Sequence, residues 1–317
     1  MRALVTGAAG FVGSHLVERL LDDGQEVRAV DCISSYYDPS QKLANLGEIM
    51  GSPRCEFIRA DLLECDLYAM LEGVDVVFHQ AGQPGVRASW GTGFDGYVEN
   101  NVLLTHRLLE AVRDAGDVRR FVYASSSSVY GNAGMYPTNE DDLPKPQSPY
   151  GVTKLAAEHL CGVYARNFGV PTVSLRYFTV YGPRQRPDMA FHRLVEAALS
   201  GRPFPVFGDG HQVRDFTFVA DVVEANLLAA RSSVPPGAVI NVAGGSSTTL
   251  LEVVGLIEEL AGVPIELQME DGQPGDVQRT GGSTARAAEL LGWRPRVSLR
   301  DGLTHQVAWH HARAATV

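Results

Sequence analysis

Cysteine is scarce in this chain: only Cys32, Cys55, Cys65 and Cys161 occur in 317 residues, with no CxxC pair and no metal-ligand spacing. Such usage predicts reduced, structural thiols in a cytoplasmic protein rather than a disulfide framework. Long apolar runs are missing too; none approaches the roughly 20 residues that a helix needs to span a bilayer. No signal peptide is read at the start, where Met1 to Thr6 has the pattern of a strand entering a Gly-rich turn. Positive charge is in deficit, with 27 Lys and Arg against 37 Asp and Glu and a net charge of −10. That argues against a general nucleic-acid binder, which needs a basic face to offset phosphates. Internal repeats and low-complexity tracts are absent. The nine histidines include no HExxH, and none is assigned to a metal. The paired acids Asp141 and Asp142 sit in a Pro-rich loop and read as solvated charge.

What is present is ordinary globular composition, 45% apolar and 20% charged, at a length that suits one large α/β domain or two of unequal size. Strands are predicted at 3–6, 26–30, 56–59, 74–79, 120–125 and 172–176. Helical spacing is predicted at 11–23, 62–71, 97–115 and 149–168, the last starting at Ser148 as N-cap with Pro149 in the first turn. Strand and helix in alternation imply a parallel sheet covered on both faces. The expected fold is therefore α/β, a Rossmann-type doubly wound parallel sheet. After Phe178 glycine and proline become frequent and the elements shorten, with helices expected near 189–199, 220–230, 250–260 and 299–311. We expect residues 1–178 to form the dinucleotide-binding domain. Residues 179–317 are expected to form a smaller α/β domain that mainly binds substrate and returns some segments to the first.

Residues 6–13 read Thr-Gly-Ala-Ala-Gly-Phe-Val-Gly, between a predicted strand and a predicted helix. A pyrophosphate can approach the N–H groups of such a helix start only if no β-carbon stands at Gly7, Gly10 and Gly13. The spacing is GxxGxxG rather than GxGxxG. Asp31 follows at the end of the second strand, where a carboxylate can accept from the ribose hydroxyls and repel a 2′-phosphate, which favours NAD over NADP. Asp61, after the third strand, is placed either to meet the adenine amino group or to cap the following helix.

Tyr150 and Lys154 stand at i and i+4 and so share a helix face. A tyrosine ionises near pH ~10, and a nearby ammonium together with a cationic nicotinamide would bring its phenol into range as a base. Ser125 to Ser128 end a strand at the carboxyl edge of the sheet, where ligands bind in such folds.

On these residues the chain resembles the extended short-chain dehydrogenases/reductases, and within them the NAD-dependent sugar-nucleotide epimerases. The motifs are 6–13, Asp31, Asp61-Leu62, Ser125 to Gly131, Tyr150 to Lys154, Leu175 to Phe178, Val213 to Phe216 and Leu291 to Pro295. The resemblance implies Ser126 as the catalytic hydroxyl, Tyr150 as the base, and Lys154 as the group that positions the nicotinamide ribose and tunes Tyr150. It also implies NAD contacts by Phe11, Val12, Leu62, Gln80, Ala81, Gly82 and Tyr177, and a homodimer built on helices 97–115 and 149–168.

Two segments, 78–89 and 181–190, look like UDP-glucuronate 4-epimerases. Beside that similarity stands a charge argument: residues 176–214 hold six arginines and three acids, a local excess of positive charge in an acidic chain. Guanidinium forks suit both a pyrophosphate and a hexuronate carboxylate. Arg214 is assigned to the pyrophosphate and Arg186 to the carboxylate end, with Ser127, Ser128 and Thr179 beside it. Arg87 is a further candidate for the carboxylate end, Asp276 is a further substrate-binding candidate, and Phe207 either stacks on uracil or is a core aromatic. The expected reaction is epimerisation of UDP-glucuronate at C4 through a 4-keto sugar without decarboxylation. A decarboxylase, a UDP-glucose 4-epimerase and a non-catalytic NAD-sensing regulator are the alternatives.

Overall fold

The computed structural model describes residues 1–314; the last three residues of the expected 179–317 unit lie outside the described ones. In the first half the chain runs β1 (Arg2–Thr6), α1 (Phe11–Asp22), β2 (Glu26–Asp31), α2 (Pro39–Leu46), β3 (Cys55–Arg59), α3 (Leu67–Leu71) and β4 (Val76–His79). It continues through α4 (Phe94–Tyr97), α5 (Leu104–Ala115), β5 (Arg120–Ser126), α6 (Pro149–Phe168) and β6 (Thr172–Tyr177). The second half holds β7 (Thr179–Tyr181), α7 (Ala190–Ser200), β8 (Phe204–Phe207), β9 (Val213–Arg214), β10 (Phe216–Phe218), α8 (Val219–Arg231) and β11 (Ala238–Val242). β12 (Thr248–Thr249), α9 (Leu250–Ala261), β13 (Leu267–Glu270), α10 (Ala285–Leu291) and α11 (Leu299–Ala314) complete it.

Seven strands form one parallel sheet in the order β3-β2-β1-β4-β5-β6-β11. Every residue of β4 and β5 is buried, which explains why these strands read as apolar runs without alternation. The strand order turns at β1, between β2 and β4, so the crevice for a ligand opens at the carboxyl ends of β1 and β4. This is the Rossmann-type doubly wound arrangement that the alternating pattern implied.

One core covers the first face of the sheet and joins Val5 and Leu16 to Ile257 and Leu303. A second covers the other face with Leu4, Val77, Leu108, Phe121 and Tyr164. The first core takes residues from both sides of position 178. Strand β11, which lay outside the predicted elements, extends the sheet by pairing Ala238–Val242 with Val173–Tyr177 of β6.

Two predicted helices differ in detail. The 62–71 segment begins as a turn whose Asp61 carboxylate accepts from Leu63 N, and the helix starts only where Asp66 accepts from Tyr68 N and Ala69 N. The 97–115 segment contains a π-helical turn at Val98–Leu103 between α4 and α5. Helix α6 starts as the sequence predicts, with Ser148 Oγ accepting from Gly151 N and Pro149 in the first turn.

Candidate active site

The glycine cradle is tight. Gly7 has φ +67°, and a β-carbon there would stand 2.8 Å from the Ala81 amide nitrogen; at Gly13 it would drive into the Gly7 carbonyl. Close approach of β1, α1 and the loop after β4 therefore depends on these glycines. Helix α1 has Gly10 as N-cap, no side-chain cap and no acid in its first turn. Its free N–H groups and dipole suit an anion such as a dinucleotide pyrophosphate, and Phe11, Val12 and Gly13 form that first turn.

Asp31 ends β2 with its carboxylate buried. Oδ2 accepts from Ala9 N at 3.0 Å and Oδ1 from Ile33 N at 2.7 Å, so it braces the loops after β1 and β2. Lys42 of α2 stands with Nζ 3.7 Å from Oδ1, and Asn45 donates to the Ala9 carbonyl. Helix α2 was not foreseen from the sequence; its Asp38 cap and Pro39 start were the signal available. Asp61 is exposed and Leu62 beneath it is buried.

The loop after β4 is positioned by a chain of hydrogen bonds. Thr105 donates to the Asn101 carbonyl, so it accepts from His79 Nε2–H; His79 Nδ1 then accepts from Thr6, whose hydroxyl accepts from Ala81 N. Burial, with the Lys154 charge adding, lowers the His79 pKa to about 3 and keeps the ring neutral. Gln80 donates to Tyr177 and Asn226, and Tyr177 in turn donates to Asn226. Two residues expected at the cofactor are thus bonded to each other. Asn101, from the π-helical turn, accepts from Gln83 N and donates to the Gln83 carbonyl and to Thr153 Oγ1, which ties the loop to the turn between Tyr150 and Lys154. His79, Lys42 and Asn101 are positioning residues that sequence reasoning missed; π-helical turns recur at functional sites but leave no residue signature.

On the first turns of α6, Lys154 is buried and Tyr150 half-buried. Burial holds the Tyr150 phenol above its ordinary value, against a hydrogen bond with Ser126 and the charge of Arg186. The positive charge acting on the phenol here is that of Arg186, not that of Lys154. Burial lowers Lys154 to about 8, while Cys161 and Glu158 act to raise it. Its ammonium lies 4.7 Å from the Tyr123 ring centroid. Tyr97 packs edge-on against Tyr150 and donates to the carbonyls of the Pro84–Gly85 turn.

The four serines divide. Ser125 donates to Glu158, which is itself forked by Arg176 in an enclosed pair. Ser126 accepts from Ser128 N and bonds Tyr150, while Ser127 and Ser128 turn out half-buried. Of the six arginines, Arg176 belongs to that internal pair, Arg184 bonds Glu18, Arg193 lies over Phe204 and Arg202 bonds Ser200 at the surface. Arg186 and Arg214 remain.

Arg186 is forked onto Asp188 at 2.9 and 2.8 Å. Burial opposes its charge, but Asp188 outweighs that and raises its pKa. Thr179 is half-buried at the start of β7, its amide donating to the Asp215 carbonyl. Arg214, Arg87, Phe207 and Asp276 come together at a second locus, so Arg87, expected at the carboxylate end with Arg186, stands with Phe207 instead. The Arg87 guanidinium lies 4.0 Å above the Phe207 ring and bonds Asp276 at 2.8 Å. Burial lowers the Arg214 pKa, Arg87 adds to that, and Asp276 and Tyr136 oppose it.

A glycine cradle at the sheet's turning point and a Ser–Tyr–Lys group beside it define a dinucleotide-dependent enzyme of the Rossmann type. Residues 3–243 match the NAD dependent epimerase/dehydratase family, and the chain belongs to that family. It is 46% identical over 310 residues to the uncharacterized UDP-glucose epimerase YtcB of Bacillus subtilis, covering 98% of each chain. It is 36% identical to a UDP-glucuronate 4-epimerase of Thermodesulfobacterium geofontis, over 96% of this chain and 95% of that one. A crystal structure of UDP-glucuronic acid 4-epimerase from Bacillus cereus, in complex with UDP-glucuronic acid and NAD, superposes with a TM-score of 0.95. It is 42% identical and the match covers 99% of this chain and 100% of that one. NAD is the cofactor of the family, and the cradle, the uncapped α1 and the Lys154 ammonium are chemically suited to it.

Proposed function

We propose that this enzyme epimerises UDP-glucuronate at C4 to UDP-galacturonate through a 4-keto sugar. The observation that carries the reading is Arg186, a half-buried guanidinium whose charge acts on Tyr150. Arg186 with Ser127, Ser128 and Thr179 faces the hexuronate carboxylate. Arg214 holds the pyrophosphate, and Arg87, Phe207 and Asp276 hold the uridine end. Residues 1–178 serve mainly the cofactor and 179–317 mainly the sugar nucleotide.

Tyr150, with Ser126 hydrogen-bonded to it, takes the C4 hydroxyl proton as the C4–H bond breaks and C4=O forms. It returns that proton after the ring has turned its other face. When bound, NAD accepts and gives back the hydride, and its oxidised ring adds positive charge beside the phenol. Lys154 would donate to the nicotinamide ribose, and Arg186 favours the phenolate. A keto group β to a carboxylate makes loss of carbon dioxide easy. The carboxylate contacts keep the breaking bond out of line with the carbonyl π system.

One observation favours a second reading, UDP-glucose as substrate: Asp188 already neutralises Arg186 in a two-pronged bond. Proton NMR of products from UDP-glucuronate and from UDP-glucose, run separately, decides between them. UDP-galacturonate from the acid alone supports the proposal, and turnover of UDP-glucose alone overturns it. Arg186→Ala is expected to release more UDP-pentose-type product than the parent chain; an unchanged ratio by mass spectrometry removes Arg186 from the carboxylate.

We also infer a homodimer through α5 and α6. Val98 and Leu103 on the π-helical turn that leads into α5, and Val152, Val163 and Phe168 on α6, are exposed apolar side chains, which supports that surface. No helix among the described residues is long and apolar enough to cross a membrane. The four cysteines are free, which supports a cytoplasmic location.

A further inference from the structure

Helices α7 and α11 bring His192, Glu196 and His310 together, with one donor atom of each lying within 4.8 Å of the others. His192 and Glu196 are at i and i+4 and so share a face of α7. His310 comes from α11, its ring centroid 4.5 Å from that of His192. The tautomer of His192 follows from its partner: Nδ1 lies 2.7 Å from the Gln185 carbonyl, which can only accept, so Nδ1 carries the hydrogen. In the neutral ring Nε2 then turns a lone pair toward Glu196 Oε1 at 3.1 Å. Two acceptors at that distance repel unless a cation stands with them.

A proton on His192 would join it to Glu196 but would do nothing for His310. His310 is 6% exposed, and its Nε2 is fully enclosed with no hydrogen-bond partner. An enclosed imidazole nitrogen without a partner is costly. With the Nε2 atoms of His192 and His310 as the imidazole donors, a dication facing them and Glu196 would satisfy both faults at once. Two imidazoles and one carboxylate form the donor set of borderline transition metals, and three protein ligands leave a position for water. The half-exposed Glu196 carboxylate supplies the way in.

The surroundings are built as such sites are built. The carbonyl that orients His192 belongs to Gln185, whose side chain accepts from His192 N and Gln306 and donates to the Val180 carbonyl. We propose that His192, Glu196 and His310 bind one Zn²⁺-type dication that pins α7 to α11, a role apart from the catalytic group.

The test uses the untagged full-length chain, stripped with chelator and titrated with Co²⁺. The expected result is one Co²⁺ per chain with visible d–d absorption of a low-coordinate site, displaced by Zn²⁺, and a metal-dependent rise in Tm. Glu196→Gln, at an exposed position that leaves the core intact, and His310→Gln should each weaken binding on the order of tenfold or more. No stoichiometric uptake by the parent chain overturns the proposal. So does a spectrum and affinity unchanged in both variants, which would place the metal elsewhere.

Discussion

Lys154 shows what the site costs a single residue. The residue is 6% exposed, and burial lowers its pKa from the ordinary 10.5 to about 8. Between those values the unfolded chain binds more protons than the folded one, so stability gained from this group rises with pH across the window from 8 to 10.5. Below it, the folded cofactor-free enzyme carries a penalty of roughly 3 kcal/mol. Lys154→Met should therefore stabilise the cofactor-free chain at pH 7 by up to about that amount, the gain vanishing as pH passes above ~10.5, while weakening NAD binding. Urea unfolding across this pH range checks it; a gain that does not change with pH would assign the effect to packing.

The residues of this site divide by how they announce themselves. Gly7, Gly13, Asp31, Tyr150 and Lys154 stand in spacings that mean little apart from the chemistry, and they are legible in the chain. Arg186 and Arg176 are alike in sequence, yet one reaches the Tyr150 region and the other is locked to Glu158. Only the position of Glu158 one turn beyond Lys154 tells them apart.

At the scale of elements, the capped start of α6 was legible, the capped start of α2 was passed over, and turns whose geometry depends on neighbours carry no mark. Ser148 and Pro149 mark α6, but nothing in Val98–Leu103 marks a π-helical turn. That turn places Asn101, 1% exposed, against Gln83 and Thr153. Asn101→Ala leaves the Gln83 amide and carbonyl without their partner. It should cost about 1–3 kcal/mol of stability and loosen the 80–85 loop, lowering affinity for NAD. Asn101→Asp keeps the acceptor and should cost less. Calorimetry with NAD beside urea unfolding separates the effects; lost stability with unchanged NAD affinity would make the turn a scaffold only.

For the whole molecule, the first six sheet strands follow the alternation that the sequence displays, while the seventh was hidden. Ala238–Val242 is a short apolar run after Pro235-Pro236-Gly237, and its place beside β6 is set by the chain between, not by local pattern. A chain ending at residue 178 would expose the outer edge of β6 and strip the core around Leu16 of its partners in α8 and α9. Such a fragment should unfold without cooperativity and aggregate. A sharp urea transition with NAD binding by residues 1–178 would show the opposite.

The late arrival of β11 also has a consequence during synthesis. Some sixty residues separate the end of β6 from Val242, which at 5–20 residues per second leaves on the order of several seconds in which the nascent sheet ends in a bare strand. Over that interval the growing chain presents a template for strand pairing beside an uncovered apolar face. This makes the stretch between residues 178 and 238 the window in which a ribosome-associated chaperone has most to protect.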